Sequence, residues 1–397
     1  WEGQPHLPFG RELTQRDMDR MLDAAQGDEG AFNRMAGMVD FADPDGDRWV
    51  ETRAPHGTAV ADLAAGCDPL SDDLARLRDR AHLVMVELAP RPSIGSSGDF
   101  LEFYAIWAIR HIVDTADAIW RARFAGQARR GFPIVINLSY GRHAGPKDGS
   151  ALIQRFLRAL TASRPPEAPV RFVLPAGNDN LDRGSAVLGH RDPGETRALC
   201  WRILPEDRTA GYAEIWADPP RAKGSGDSHP GPLSLSPPSG PALDFGADLP
   251  RPGQCCDLIE TESGRPVARV YCCRSFDPEA ATPTAIGYVL CVAPTWQASP
   301  PPAGWPAAPA GAWRITLGAG PLAKLHVQSD QTFRPGPGSA QLSYFEDLAD
   351  TPPHLRYRSH DDTGALRDGL AVKAVKPKRG VFGLQVATPT RAELGID

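Results

Sequence analysis

The apolar residues in the first half of the chain follow two alternating patterns. Short, nearly continuous runs rich in Val, Ile and Leu occur at 82–89, 133–139 and 170–175. Runs of this length and composition predict strands buried on both faces, as in a parallel sheet. Between them, residues 100–122 and 149–163 carry apolar side chains at helical spacing. Strands that alternate with helices predict an α/β sheet with crossover connections.

After about residue 190 the pattern changes to short strand-like runs between turns rich in Pro, Gly and Ser. Many short strands with such connections predict an antiparallel β-sandwich. The runs are 198–204, 211–216, 268–272, 285–292 and 311–317. We therefore predict three parts: an α/β part over 1–190, the β-sandwich over 191–335, and a loop-rich segment over 336–397.

Composition and charge exclude several classes of partner. The 397 residues are 41% hydrophobic and 23% charged, with a formal net charge of -6. Nucleic acid is not expected, because binding to phosphates requires concentrated Lys and Arg. A membrane partner is not expected, because no apolar run approaches the roughly 20 residues that a spanning helix needs.

No metal or cofactor is predicted. The seven cysteines are scattered, and the vicinal pairs Cys255/Cys256 and Cys272/Cys273 lack the spacing of zinc ligands. The carboxylates of Asp43, Asp45, Asp47 and Glu51 are close in sequence, but a glycine stands at the wrong position for an EF-hand loop. We interpret them as a solvated acidic loop.

The first motif with candidate chemistry begins at His56. Residues 56–66 read His-Gly-Thr-Ala-Val-Ala-Asp-Leu-Ala-Ala-Gly. This predicts a helix that starts at His56, ends at Gly66 and packs closely through its small residues. A histidine held at such a position could act as a general base, which must sit about 2.6 to 3.2 Å from the proton it removes.

Two further motifs follow predicted buried strands. Pro-Ala-Gly-Asn ends at Asn178, and its side-chain amide could stabilise a developing oxyanion at the carboxyl end of a parallel strand. Residues 136–141 read Ile-Asn-Leu-Ser-Tyr-Gly and could offer an extended backbone edge to a peptide. Taken singly, each motif could also be an ordinary turn.

Together and in this order, the three motifs resemble those of the subtilase family of serine peptidases. The resemblance covers about residues 50–180 and implies an incomplete subtilisin-like parallel-sheet core within 1–190, with the antiparallel β-sandwich inserted after it. It implies that His56 is the general base and Asn178 the oxyanion donor, that the substrate is a protein or peptide, and that no cofactor is required. The implied substrate-binding residues are Ser139, Tyr140, Gly141 and Gly177.

The sequence also departs from the family pattern. No Gly-Thr-Ser-x-Ala-Ala-Pro segment follows Asn178, and the nearest candidate for the family's aspartate, Asp40, lacks the Asp-x-Gly context. We expect that the chain is a piece of a longer serine endopeptidase whose Asp and Ser motifs lie outside it. The alternative is a catalytically inactive subtilase-like binding module whose sandwich recognises a partner. In both cases this chain alone is expected to be inactive.

Overall fold

A computed structural model shows a mixed α/β architecture with one parallel and two antiparallel sheets among the residues it describes. The chain forms two compact units, residues 1–83 and 84–397. The described residues are 10–37, 56–66, 82–88, 101–126, 131–139, 144–146, 148–175, 183–189, 196–217, 228–239, 242–244, 250–260, 264–275, 285–296, 307–329 and 342–346.

The first unit begins with a helical hairpin for which the sequence analysis predicted no element. Helix α1 spans Gln15–Ala25 and helix α2 spans Glu29–Ala36. The side chain of Thr14 accepts a hydrogen bond from the backbone N–H of Asp17, whose carboxylate accepts from the Thr14 N–H in return. Asp28 caps α2 by accepting from the N–H of Ala31. These capping bonds satisfy backbone donors at both helix starts.

Helix α3, His56–Ala65, confirms the predicted helix and its start at His56. A Cβ atom on Gly66 would clash with the backbone carbonyl of Asp62, so a glycine is required where the helix ends. The predicted close packing is wrong for the described side chains, because most of them are exposed and Leu63 is 67% exposed.

The predicted strand at 82–89 is also wrong over the part that the structure describes. Residues 82–88 have no regular secondary structure. Leu83 and Met85 are 63% and 65% exposed. A strand exists only where a second strand pairs with it, and no described strand pairs with this segment. Its apolar composition alone was therefore not sufficient to predict a strand.

The second unit begins with the predicted α/β pattern. It consists of α4 (Leu101–Arg123), β1 (Ile134–Asn137), α5 (Leu152–Ser163) and β2 (Val170–Val173). Strands β1 and β2 pair in parallel over their full length, as predicted. Because parallel neighbours need a long crossover, helix α5 fills the connection between them.

Both helices pack on one face of this two-stranded sheet. The shared core contains Ile109, Val113, Ile136, Leu157, Leu160 and Val170. Arg164, only 9% exposed, pairs with Asp117 of α4 at 2.7 Å and so ties the end of α5 to α4. On the opposite face Val135 is 71% exposed and Val173 is 50% exposed. The prediction that these strands are buried on both faces is therefore correct for one face only.

The other described strands of the second unit form two antiparallel sheets. In chain order the strands are β3 (Ser185–Leu188), β4 (Arg197–Ile203), β5 (Gly211–Ala217), β6 (Leu233–Ser236), β7 (Leu243–Asp244), β8 (Cys255–Ile259), β9 (Pro266–Arg274), β10 (Ile286–Val292), β11 (Gly311–Leu317), β12 (Ala323–Ser329) and β13 (Tyr344–Glu346). One sheet has the order β3-β12-β5-β10-β9-β8 and the other β13-β4-β11-β6-β7.

The inner faces of these two sheets share one hydrophobic core. Its largest members, Trp201, Trp313 and Tyr288, are fully buried. In strand β4 every second residue is buried, as expected for a strand with one face on the core. All five predicted strands are present in this β-sandwich. Strands β3 and β13 lie outside the predicted range 191–335, so the sheets extend beyond it on both sides.

Candidate functional site

Two of the three motif-bearing segments leave the same edge of the parallel sheet. Asn137 and Val173, the last residues of β1 and β2, lie opposite each other. The N–H of Leu138 donates to the carbonyl of Val173 at 3.0 Å, which extends the pairing by one residue. The chain after β1 carries Ser139, and the chain after β2 leads to Asn178. Carboxyl ends of adjacent parallel strands are where open α/β sheets bind ligands.

Ser139 is the one predicted substrate-binding residue whose position the structure describes. It is half-buried, and its Oγ lies 2.9 Å from Asn137 Nδ2, which donates to it. This bond holds the side chain against the end of β1. His56 is the first residue of α3 in the other compact unit, and its side chain is outside the described part. Other motif positions outside the described residues are Tyr140, Gly141, Gly177, Asn178, Asp40 and the acidic cluster 43–51.

The chain that follows β1 is attached to the β-sandwich by a buried carboxylate, Glu214 on β5. One of its oxygens, Oε2, accepts from the backbone N–H of Gly145 at 2.7 Å and from the indole N–H of Trp216 at 2.8 Å. The other, Oε1, accepts from Gln328 Nε2 at 2.7 Å. Glu214 is only 7% exposed. A buried carboxylate is stable only when such donors replace its water shell.

The chain that follows β2 also enters the β-sandwich, because β3 is an edge strand of the six-stranded sheet. Ser185, its first residue, lies opposite His326 of β12, which in turn lies opposite Glu214 of β5. Ser185 Oγ is 2.9 Å from His326 Nδ1. Side chains directly opposite each other in antiparallel strands are on the same face. Ser185, His326 and Glu214 therefore form a polar row on the outer face of this sheet.

Sequence reasoning missed this polar row. A signal was present in the sequence of β5, where the apolar residues Ala213, Ile215 and Ala217 occupy every second position. That alternation puts Glu214 and Trp216 on the other face of the strand. Trp216 is only 5% exposed there, so something must also cover the outer face.

Within the described residues, no group of three or more His, Cys, Asp or Glu side chains is arranged to hold a metal ion. No helix in the part of the chain that the structure describes is long and apolar enough to cross a membrane. No protein-family model matches this sequence, and no curated protein matches it.

Proposed function

We propose that this chain is part of a subtilisin-like serine endopeptidase that hydrolyses peptide bonds through an acyl-enzyme. The observation that supports the proposal is the adjacency of β1 and β2, whose carboxyl ends carry Asn-Leu-Ser-Tyr-Gly and lead to Pro-Ala-Gly-Asn. A peptidase needs a substrate-binding edge and an oxyanion donor beside each other. Two parallel neighbouring strands can present two such segments at one edge of a sheet, which supports the proposal.

In the proposed mechanism each motif has one role. His56 takes the proton from a serine nucleophile and returns it to the leaving amine. The side-chain amide of Asn178 donates a hydrogen bond to the oxyanion of the tetrahedral intermediate. The backbone of Ser139–Gly141 pairs with the extended substrate, and Gly177 is a further substrate-binding residue. The proposal requires a serine nucleophile outside these 397 residues, because no Gly-Thr-Ser-x-Ala segment occurs among them.

The test uses the protein expressed from its gene together with the adjoining coding sequence. A fluorophosphonate probe, which reacts with activated serines, should label it, and His56→Ala should abolish the labelling. Asn178→Ala should leave the protein folded but lower kcat by about 10² to 10³, the usual effect of removing one oxyanion donor. His111→Ala, a histidine on α4, serves as the control and should label normally. A wild-type protein that stays unlabelled would overturn the peptidase proposal.

The missing nucleophile motif favours a second candidate: an inactive subtilase-like binding module. In that case the edge of β1 and the β-sandwich would bind a protein or peptide without cutting it. The same assays separate the two candidates. A binding module would bind an extended peptide at equilibrium, but it would release no cleaved product and would not react with the probe.

A further inference from the structure

We propose that Glu214 is a positioning residue of this peptidase: through its bond to Gly145 it fixes the segment after β1 that binds the substrate. The inference rests on the proposed function. It gives the β-sandwich a role in catalysis that the motifs themselves do not assign to it.

The first step is the strength of the attachment. The Glu214 carboxylate is buried and accepts three N–H donors, one of them the backbone of Gly145. Hydrogen bonds to an ionised acceptor are about twice as strong as bonds between neutral groups. Trp216 lies beside the same carboxylate, because its indole N–H donates to it, and Trp216 is itself only 5% exposed. The bond to Gly145 is therefore held in a site with little water.

The second step is the position of Gly145. It lies six residues after Ser139, so the proposed substrate-binding residues Ser139–Gly141 fall between two fixed points. One point is the end of β1, paired with β2, and the other is Glu214. A peptide that pairs with a backbone edge needs that edge to be extended and aligned before it arrives. Fixing both ends of the segment lowers the entropy that binding must remove.

The third step is that the second motif-bearing segment ends on the same face. Ser185 of β3 comes seven residues after Asn178 in the sequence. Ser185 lies two strands from Glu214, with His326 between them, in one polar row. The chain after β1 and the chain after β2 thus both meet the β3-β12-β5 side of the six-stranded sheet, at Gly145 and at Ser185.

The experiment compares Glu214→Gln and Glu214→Ala with the control Asp257→Ala. Asp257 is a carboxylate on β8 of the same sheet, paired with Arg269 and remote from β5 in the strand order. Glutamine keeps one oxygen that can accept from Gly145, and Gln328 can rotate its amide to match. Hydrogen exchange at the Gly145 amide should therefore be fastest in the alanine variant, about tenfold or more above wild type, and intermediate in the glutamine variant. The control should exchange as wild type does.

The second readout separates positioning from general stability. In the probe-reactive protein, Glu214→Ala should raise KM for an extended peptide about tenfold, with Glu214→Gln in between, while a small ester that does not pair with the strand keeps its KM. If alanine prevents folding, the glutamine variant still tests the order of effects. Unchanged exchange at Gly145, or faster exchange with an unchanged peptide KM, would overturn the positioning role alone. An unlabelled wild-type protein would overturn the peptidase proposal and this inference with it.

Discussion

Replacement of the buried Arg197 should destabilise the β-sandwich more than replacement of any exposed arginine. Arg197, at the start of β4, is only 4% exposed. Its guanidinium donates to four backbone carbonyls in three separate connections, those of Gly189, Pro230, Gly318 and Pro321. One side chain therefore joins the end of β3, the segment before β6 and the β11–β12 connection.

The expected magnitude follows from those bonds. In Arg197→Met the side chain keeps its approximate length, but four carbonyls lose their charged donor. A hydrogen bond to a charged group contributes about 1.5 to 3 kcal/mol, and a carbonyl left buried without a donor costs about 1 to 3 kcal/mol. Removing the buried charge recovers several kcal/mol of desolvation free energy. We expect a net loss of about 4 kcal/mol in unfolding free energy, which lowers Tm by roughly 10 °C.

Urea unfolding followed by near-ultraviolet circular dichroism measures this loss, because the buried Trp201 and Trp313 report on the sandwich core. The matched control is Arg269→Met on β9. Arg269 forms an exposed pair with Asp257, where solvent screens the charges, so its loss should barely move the transition. If Arg197→Met unfolds within about 1 kcal/mol of wild type, the four carbonyls do not depend on this side chain and the reasoning is refuted.

Three other changes test the packing and the titrating groups of the sandwich. Gly287→Ala should lower the unfolding free energy by about 1 to 3 kcal/mol in the same urea assay, because the alanine Cβ would lie 2.5 Å from Trp216 Cε3. A variant as stable as the wild type would contradict this. Burial lowers the pKa of His229, so the unfolded chain binds its proton more readily, and unfolding free energy should fall as pH drops below 6.5. His229→Gln should flatten that slope, and an unchanged slope would refute the assignment. Burial, with the nearby Cys273 thiol, raises the pKa of Cys272 to about 11. N-ethylmaleimide at pH 8 should therefore modify the exposed Cys255 before Cys272, as measured by peptide mass spectrometry. Equal rates of modification at the two cysteines would contradict this.

Elements with a strong local pattern could be predicted from the sequence, and elements that depend on distant partners could not. Helices α4 and α5 follow helical spacing, and β1 and β2 follow apolar runs that pair with each other. The run at 82–89 has the same composition but no described partner strand, and its described part, 82–88, forms no strand. Strand formation depends on pairing, and pairing cannot be read from one segment.

In the candidate site, too, some features could be predicted from the sequence and others could not. The order of the motifs could be read from the sequence, as could the parallel strands that carry two of them. The attachment through Glu214 could not, since it joins residues that are 69 positions apart. A glutamate in an apolar strand predicts a side chain on the outer face. Only the fold shows that this face meets the chain that follows β1.

This attachment also bears on the choice between a peptidase and a binding module. A binding segment can adapt to its partner and remain effective, because only the bound state has to be well formed. A peptidase must hold the scissile bond within about 0.5 Å of the reactive geometry, which requires a segment that is already rigid. Burying a carboxylate costs free energy, which the three donors to Glu214 must offset. A loop that is free to adapt does not need such an anchor. The anchor at Gly145 is therefore one reason to propose the peptidase rather than the binding module.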